Sequence, residues 1–276
     1  MVDGEGKNRQ AASFGVAAGV YERSRPSYPD AAVDWLLPPG ARHVLDVGAG
    51  TGKLTRSLAT RGLAVTAVEP SEGMRAELAR VLPGVTVLAG SAEEIPVGSG
   101  AADAVLLAQA WHWVEPARAV PEVARVLAPG GRLGLVWNIR DERVDWVAEL
   151  TRIIHTGSYT DNGSEAPVVG PPFGPVERFD VGWSMPVTAD RLAGLVASRS
   201  YIITMDPAGR DERLRRVREL VATHPDIGGA TEFPLPYVTR CSRAAAWTPS
   251  GPSRRHQVSC SPTRSARMRP MASGTL

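Results

Sequence analysis

The chain has 276 residues, 43% of them hydrophobic and 22% charged, which is the balance of a folded globular protein with one large domain. Its formal charge of +2 combines two unlike parts, because seven arginines and no acidic residue follow Glu232. Removing those seven charges from +2 leaves about −5 for residues 1–232, and this mildly acidic body excludes the positive surface typical of nucleic-acid binders.

The two cysteines, Cys241 and Cys260, are too few for a disulfide framework or a clustered zinc site, so no bound metal is expected. The first residues lack a secretory pattern, and the longest nearly apolar run, Ala104 to Val114, is too short to cross a bilayer. We therefore expect a cytoplasmic protein without a membrane or nucleic-acid partner. The sequence does not indicate its oligomeric state.

Short β-branched runs alternate with amphipathic stretches from Arg42 onward. The predicted strands are His43–Val47, Ala64–Val68, Val85–Leu88, Ala104–Ala108 and Arg132–Trp137. The predicted helices between and after them are Lys53–Arg61, Glu72–Leu82, Ala117–Leu127 and Asp141–His155. This alternation predicts an α/β fold, in which a parallel sheet carries helices on both faces.

The second half of the chain is less regular. Its predicted elements are a long loop or lid over Gly157–Gly174, a strand at Val176–Val181, helices at Asp190–Ala197 and Asp211–Ala222, and a last strand at Phe233–Cys241. Pro234 and Pro236 would confine that last strand to an edge or an irregular extension. We expect an N-terminal cap segment over residues 1–40, a main domain over 41–243 and a disordered tail rich in Ser, Pro and Arg over 244–276.

A glycine-rich turn follows the first predicted strand. Gly48, Gly50 and Gly52 carry no Cβ, so the backbone can approach a ligand closely before the next helix begins. Glu69 ends the second predicted strand, where a carboxylate can accept hydrogen bonds from both hydroxyls of a ribose. Together these features predict a nucleotide-like cofactor; a purely structural turn and an exposed strand-end acid are the alternatives.

Two other cofactor classes fit this loop poorly. The dinucleotide pattern G-x-G-x-x-G requires a third glycine at position 53, which is Lys53. The chain has only two lysines and no convincing Tyr-x-x-x-Lys pair, and the loop also lacks the glycine spacing of a phosphate-binding loop. These observations disfavour a nicotinamide-dependent dehydrogenase and a protein with a phosphate-binding loop.

Four segments resemble the motifs of class I S-adenosylmethionine-dependent methyltransferases, in the small-molecule group of the ubiquinone/menaquinone and trans-aconitate methyltransferases. They are Val44–Gly52, Val68–Met74, Gly90–Pro96 and Val126–Gly131, and the match runs from about Tyr21 to Asn138. The resemblance implies a Rossmann-like, doubly wound, mostly parallel seven-stranded sheet with helices on both faces. It also implies that residues 41–243 form a methyltransferase domain acting on a small-molecule acceptor.

The resemblance further implies roles for single residues toward S-adenosyl-L-methionine. Gly48, Gly50 and Gly52 would contact its methionine part, Glu69 would bind its ribose, and Met74 would pack on its adenine.

Adenine recognition departs from the family's pattern. An acid often follows the glycine of the third motif in this family, whereas this chain has Ser91 there, so the contact would pass to the Ala92 backbone or to Glu93. Asp46, which begins the glycine motif, and Gln109, which follows the fourth strand, complete the predicted cofactor site.

The predicted substrate-binding residues come from three places. Tyr21 and Arg25 lie in a segment that resembles the N-terminal cap of small-molecule members, although a surface helix is the alternative. Trp111 and Trp113 follow the fourth strand at the carboxyl edge, where doubly wound folds bind ligands, with core packing as the alternative. Arg140, after the fifth strand, would anchor an anionic substrate or lie on the surface.

Methyl transfer is an in-line displacement from a sulfonium that removes a positive charge, so positioning and exclusion of water can supply most of the acceleration. His112 is the candidate general base for a hydroxyl or acidic carbon acceptor, and packing between the tryptophans is its alternative role. A non-catalytic S-adenosylmethionine-binding module and a nicotinamide-dependent oxidoreductase are the competing functions. The residues after Asn138 do not indicate the acceptor.

Overall fold

The computed structural model describes residues 26–155, 167–203 and 205–246 of the chain. The strands are β1 (His43–Val47), β2 (Ala64–Val68), β3 (Thr86–Leu88), β4 (Ala102–Ala108), β5 (Leu127–Arg140), β6 (Glu177–Val187) and β7 (Phe233–Ala245). The helices are α1 (Asp30–Leu36), α2 (Lys53–Ala59), α3 (Glu72–Val81), α4 (Pro116–Val126), α5 (Asp145–Ile154), α6 (Ala189–Ala197), α7 (Ser200–Ile203) and α8 (Pro207–Thr223). A 3-10 helix at Trp111–Trp113 follows β4.

The strands form one seven-stranded sheet in the order β3-β2-β1-β4-β5-β7-β6. The first five strands pair in parallel, and β7 is antiparallel to both of its neighbours. The α/β class and the mostly parallel, seven-stranded Rossmann-like sheet are therefore confirmed. The strands and helices predicted between Arg42 and His155 are present, with their ends shifted by a few residues.

The central strands are buried because helices cover both faces of the sheet. Val105 and Leu107 of β4 enter a hydrophobic cluster with Val120 and Val123 of α4. Their strand neighbour Leu106 enters a second cluster, on the other face, with residues of α1 and α2. This alternation follows from the two-residue period of a strand, and it explains why β4 reads as a continuous apolar run.

A third hydrophobic cluster joins α5, α6 and α8 to the outer part of the sheet, with Tyr237 and Leu235 of β7 among its buried members. The helices between β6 and β7 have clear start signals in the sequence. The Thr188 hydroxyl accepts the Arg191 N–H ahead of α6, and the Asp206 carboxylate accepts the Gly209 N–H ahead of α8. Both predicted helices in this region are confirmed, and α7 was not predicted.

The prediction that prolines place the last strand at an edge is wrong for most of β7, which lies between β5 and β6 and continues to Ala245. The ladder between β5 and β7 begins only at Tyr237, so Pro234 and Pro236 lie where β7 pairs with β6 alone. A proline removes no ladder hydrogen bond on a side without a neighbouring strand, which is why both are tolerated there.

The predicted start of the tail at residue 244 is also corrected. Ala244 and Ala245 end β7, and Ala246 forms an isolated bridge with Phe173. β7 remains paired with the antiparallel strand β5 as far as Ala245, so the sheet continues past residue 244, where the amino-acid composition changes. Residues 247–276 and most of the predicted loop, residues 156–166, lie outside the described part of the chain.

Candidate active site

A cleft opens at the carboxyl ends of β1, β4 and β5, the edge where doubly wound sheets bind ligands. The cleft is open to solvent, and its empty space, counted together with the adjoining open solvent, is about 590 Å³. Its lining combines residues of the glycine loop, of the ends of β4 and β5, of the N-terminal segment, and of the region between β6 and β7. They are Pro26, Tyr28, Gly48, Ala49, Gly50, Thr51, Lys53, Leu54, Ala108, Gln109, Asn138, Leu195, Arg199 and Tyr237.

The glycine loop needs glycine at each of its three positions. The φ angles of Gly48, Gly50 and Gly52 are +69°, +57° and +92°, in the left-handed region that residues with a Cβ rarely adopt. A Cβ on Gly48 would lie 2.8 Å from the Cβ of Ala110, whereas a Cβ on Gly50 would meet nothing within 4 Å. Gly48 is thus required by packing, while the space beside Gly50 is open for a ligand.

Glu69 ties the glycine loop to the end of β2. One carboxylate oxygen accepts the N–H of Gly50 at 2.9 Å, and the other accepts the N–H of Ser71 at 2.8 Å. The side chain is only 7% exposed, and this burial raises its pKa above the ordinary value although the two N–H donors oppose the rise. Each carboxylate oxygen retains a lone pair, so Glu69 can also accept hydrogen bonds from a bound ligand.

Asp46 lies beneath the loop and does not line the cleft. It is fully buried, and one carboxylate oxygen accepts the Thr55 hydroxyl of α2 at 2.5 Å. The other oxygen, Oδ1, is buried without a hydrogen-bond partner. Burial raises the pKa of Asp46 to about 7, and the hydrogen bonds from Thr55 only partly offset that rise. Asp46 thus joins β1 to α2 from inside the protein.

Gln109 closes the other side of the cleft. Its φ of +56° is the only positive value at a non-glycine residue in the described part of the chain. Its N–H donates to the Val136 carbonyl at 2.8 Å, and its side-chain amide donates to the Asn138 carbonyl at 3.1 Å. These two hydrogen bonds to β5 hold a backbone conformation that is otherwise unfavourable, and such conformations are concentrated at functional sites.

The Trp-His-Trp segment does not line the cleft. Trp111 is 6% exposed and belongs to the hydrophobic cluster around α4, so the predicted substrate contact is replaced by core packing. The reason is that the 3-10 helix turns this side chain onto the face covered by α4. The rings of His112 and Trp113 contact each other, with centroids 4.8 Å apart.

The third-motif residues and Met74 lie outside the lining of the cleft as well. Met74 of α3 and Ala92 are buried. Ser91 pairs with Glu94 through backbone hydrogen bonds, and the Glu93 carboxylate accepts the Glu115 N–H at 2.8 Å, just before α4 begins. The structure therefore brings together Gly48, Gly50 and Gln109 in the cleft wall, with Glu69 bonded to that wall.

Several lining residues were not predicted because no local motif marks them. Leu195 and Arg199 line the cleft because α6 packs against the sheet, and Tyr237 lines it because of the position of β7. Asn138 of β5 accepts the Thr239 hydroxyl at 2.6 Å and donates to the Ser27 carbonyl at 3.0 Å. Tyr21 and Arg25 lie outside the described residues, although Pro26 and Tyr28 line the cleft directly after them.

Arg140, a predicted substrate-binding residue, is not among the residues that line the cleft. Arg140, at the end of β5, is 8% exposed and donates to the Thr151 hydroxyl of α5 at 3.4 Å, so the surface alternative does not hold for it. The pKa of His155 falls to about 3, mainly through burial and also through the positive charges of Arg140, Arg199 and Arg213. These four residues come from β5, the end of α5, the end of α6 and α8.

Two further properties concern only the residues that the structure describes. No helix there is both long and apolar enough to span a membrane. Within the same ranges, no three His, Cys, Asp or Glu side chains are grouped as metal ligands.

The strand order, the glycine loop after β1 and the acid at the end of β2 define the class I S-adenosylmethionine-dependent methyltransferases. Residues 45–135 match the methyltransferase domain family. An uncharacterised methyltransferase of Mycobacterium tuberculosis strain H37Rv is 56% identical over 232 residues, which are 84% of this chain and 95% of the relative. An uncharacterised methyltransferase-like protein of Schizosaccharomyces pombe is 32% identical, over 79% of this chain and 90% of its own length.

A solved structure has the same fold. It is a candidate type II methyltransferase from Anaeromyxobacter dehalogenans, with a TM-score of 0.59 at 22% identity, covering 80% of this chain and 97% of the other. This chain belongs to the methyltransferase family and is a methyltransferase.

Proposed function

We propose that this methyltransferase binds S-adenosylmethionine against the glycine loop and transfers its methyl group to a small molecule held in the same cleft. The observation that carries the proposal is the left-handed loop fixed to Glu69 through the Gly50 N–H. This loop forms one wall of the cleft, and the Gly50 position leaves open space on that side.

The residues present fit the cofactor chemically. Glu69 has acceptor capacity left for ribose hydroxyls, and hydroxyl donors would favour its ionised form against the effect of burial. The glycine loop would receive the methionine part, since its backbone can be approached without a Cβ in between. Met74, Ser91, Ala92 and Glu93 remain the predicted adenine side, and Asp46 would act by holding β1 and α2 together beneath the loop.

S-adenosylmethionine supplies an electrophilic methyl group on a sulfonium, whose charge is lost when the methyl leaves. The protein's task is then to orient the acceptor and exclude water. Gln109 and Asn138 are held rigidly by hydrogen bonds to neighbouring strands and can position polar groups of the acceptor. Leu195 and Tyr237 supply apolar walls. A base role for His112 stays a prediction that applies only to acceptors that must lose a proton.

The construction of the cleft favours a small acceptor. Besides the glycine loop, its lining includes Tyr28, Leu195 of α6, Arg199 after α6 and Tyr237 of β7. An acceptor in the cleft would therefore contact side chains from several parts of the chain at once.

The test is calorimetric titration with S-adenosylmethionine, S-adenosylhomocysteine and NAD. We expect micromolar binding of the first two, about −8 kcal/mol, and none of NAD. Glu69→Ala should weaken binding about a hundredfold, because hydrogen bonds to a charged acceptor contribute about 1.5–3 kcal/mol each. Glu72→Ala is the matched control, since it removes the same charge from an exposed position three residues away.

Three results would contradict the proposal: folded wild-type protein that binds neither S-adenosyl compound, preferential binding of NAD, or equal losses in Glu69→Ala and Glu72→Ala. Melting curves of both variants establish that they are folded. Formation of S-adenosylhomocysteine with any acceptor would then distinguish a working enzyme from a protein that only binds the cofactor.

A further inference from the structure

The side chain of Asn138 joins the segment before α1 to the sheet. Its Nδ2 donates to the Ser27 carbonyl at 3.0 Å, and its Oδ1 accepts the Thr239 hydroxyl at 2.6 Å. Asn138 and Thr239 are register partners on β5 and β7, whereas Ser27 lies 111 residues before Asn138 in the chain. The residues on either side of Ser27, Pro26 and Tyr28, line the cleft. One amide side chain therefore fixes a segment that forms part of the cleft wall.

The hydrogen bonds determine which way the Asn138 amide faces. The indole N–H of Trp183 donates to the Thr239 hydroxyl at 2.8 Å, so the proton of that hydroxyl is available to Asn138 Oδ1. At the other end, the Ser27 carbonyl is only an acceptor, and a reversed amide would place two acceptor oxygens against each other. The hydrogen-bond network thus runs in one direction, from Trp183 through Thr239 and Asn138 to Ser27.

Burial keeps the middle of this hydrogen-bond network intact. Thr239 is fully buried and Asn138 is 6% exposed, so breaking either bond would leave a polar atom with little access to water. The ring of Trp183 also stacks on Tyr237, with centroids 5.2 Å apart, and the Asn138 carbonyl accepts the Gln109 amide at 3.1 Å. These contacts hold the Asn138 side chain in a single orientation.

Ser27 also reaches the glycine-loop side of the cleft. Its hydroxyl lies 3.3 Å from the hydroxyl of Ser57 on α2, the helix that begins directly after Gly52. That contact is exposed, so water competes with it, whereas the shorter bond from Asn138 is partly buried. Residues 26–28 therefore connect β5 to α2, and the bond from Asn138 is the better protected of these two attachments.

We infer that Asn138 is a positioning residue, which holds residues 26–28 against the cleft so that this segment strengthens the binding of the cofactor. Thr239 is not among the residues that line the cleft, so it acts on the cofactor only through Asn138. This inference rests on the proposed function, since it concerns a cofactor held in the same cleft.

The first measurement is the affinity of the full chain for S-adenosylhomocysteine, determined by calorimetry. Thr239→Val removes the hydroxyl and keeps the shape of the side chain, whereas Thr239→Ser retains the hydroxyl. Thr66→Val is the matched control, because Thr66 is also a buried strand residue outside the cleft lining, and its hydroxyl is bonded to His43 at 3.0 Å. Melting curves establish that each variant is folded.

We expect Thr239→Val to weaken S-adenosylhomocysteine binding about three- to tenfold, the factor for losing one net hydrogen bond. Thr239→Ser and Thr66→Val should stay within about twofold of wild type. Asn138→Ala combined with Thr239→Val should bind no more weakly than Asn138→Ala alone, because the two residues act through the same contact with Ser27.

A second measurement needs no cofactor. The carbonyl carbon resonance of Ser27 in an NMR spectrum reports the hydrogen bond that this oxygen accepts. In Thr239→Val it should move toward its position in Asn138→Ala, where the bond is absent, and in Thr66→Val it should stay at the wild-type position. A role of Thr239 in general stability alone would not move this resonance.

The inference is overturned if Thr239→Val binds S-adenosylhomocysteine as wild type does, if Thr66→Val weakens it equally, or if the effects of Asn138→Ala and Thr239→Val add in full. An unchanged Ser27 resonance in Thr239→Val overturns it as well. Each of these results leaves the proposed function standing. Failure of folded wild type to bind S-adenosylhomocysteine would instead refute the proposed function, and with it the role of Asn138 toward the cofactor.

Discussion

The buried carboxyl group of Asp46 should make the stability of this protein fall as the pH rises toward neutrality. Asp46 is enclosed between β1 and α2, and its Oδ1 is buried without a hydrogen-bond partner. Asp46→Asn keeps the size of the side chain and can still accept the Thr55 hydroxyl, but it cannot titrate. The variant therefore isolates the contribution of the proton from that of packing.

The magnitude follows from the pKa values. The pKa of Asp46 is about 7 in the folded protein, against an ordinary value of 3.8. Between those values the folded chain holds a proton that the unfolded chain has released, so the free energy of unfolding decreases as the pH rises. A gap of about three pH units at about 1.4 kcal/mol each gives a decrease of about 4 kcal/mol between pH 4 and pH 8.

The assay is urea-induced unfolding of the cofactor-free protein at several pH values from 4 to 8. The difference in unfolding free energy between wild type and Asp46→Asn should shift by about 4 kcal/mol across that range, in favour of the variant at high pH. Asp103→Asn should show almost no such shift. The N–H groups of His43 and Arg42 lower the pKa of Asp103 below its ordinary value of 3.8, so wild type loses that stabilisation only as the pH falls below this range, and the difference in unfolding free energy should stay nearly constant from pH 4 to pH 8.

If the difference in unfolding free energy between wild type and Asp46→Asn stays constant from pH 4 to pH 8, Asp46 is ionised in the folded protein throughout that range. The argument that burial raises its pKa is then refuted. A shift of the same sign in Asp103→Asn would mean that the assay reports the global charge of the protein.

Three further predictions concern the glycine loop, the buried hydrogen-bond network at Thr239 and the tail. Gly48→Ala should lower the unfolding free energy by about 2–4 kcal/mol through backbone strain and the clash with Ala110. Gly50→Ala has no such clash, so it should lower the unfolding free energy by only about 1–2 kcal/mol and should mainly weaken cofactor binding, measured by calorimetry. Equal effects on stability would contradict this reading. Thr239→Val should lower the unfolding free energy, measured with urea, by about 2–3 kcal/mol, because Trp183 donates a hydrogen bond to the Thr239 hydroxyl and Asn138 accepts one from it. An unchanged unfolding free energy would show that this hydrogen-bond network contributes nothing to stability. A chain ending at Ala246 keeps every described core residue, so its melting temperature should equal that of the full chain, and a large decrease would place residues beyond 246 in the fold.

The amino-acid sequence alone predicted the parts of this protein that depend on local chemistry. The positions of β1, β2 and α2 follow from hydrophobic periodicity and from a glycine turn that only residues without a Cβ can form. Glu69 was predicted as a cofactor-binding residue because it follows a buried apolar run at the carboxyl edge of the sheet, and the structure bonds it to the Gly50 N–H. These signals act over a few residues, so they can be read without knowing what lies across the sheet.

The tertiary structure decided what depends on distant neighbours. Pairing with β5 and β6 carried β7 past the predicted boundary, and helices between β6 and β7 brought Arg199 to a loop that lies about 150 residues earlier in the chain. Burial raised the pKa of Asp46. Packing against α4 placed Trp111 in the hydrophobic core. The physical reason is that solvation, long-range strand pairing and the sum of surrounding charges belong to a residue's three-dimensional neighbours, which no local pattern specifies.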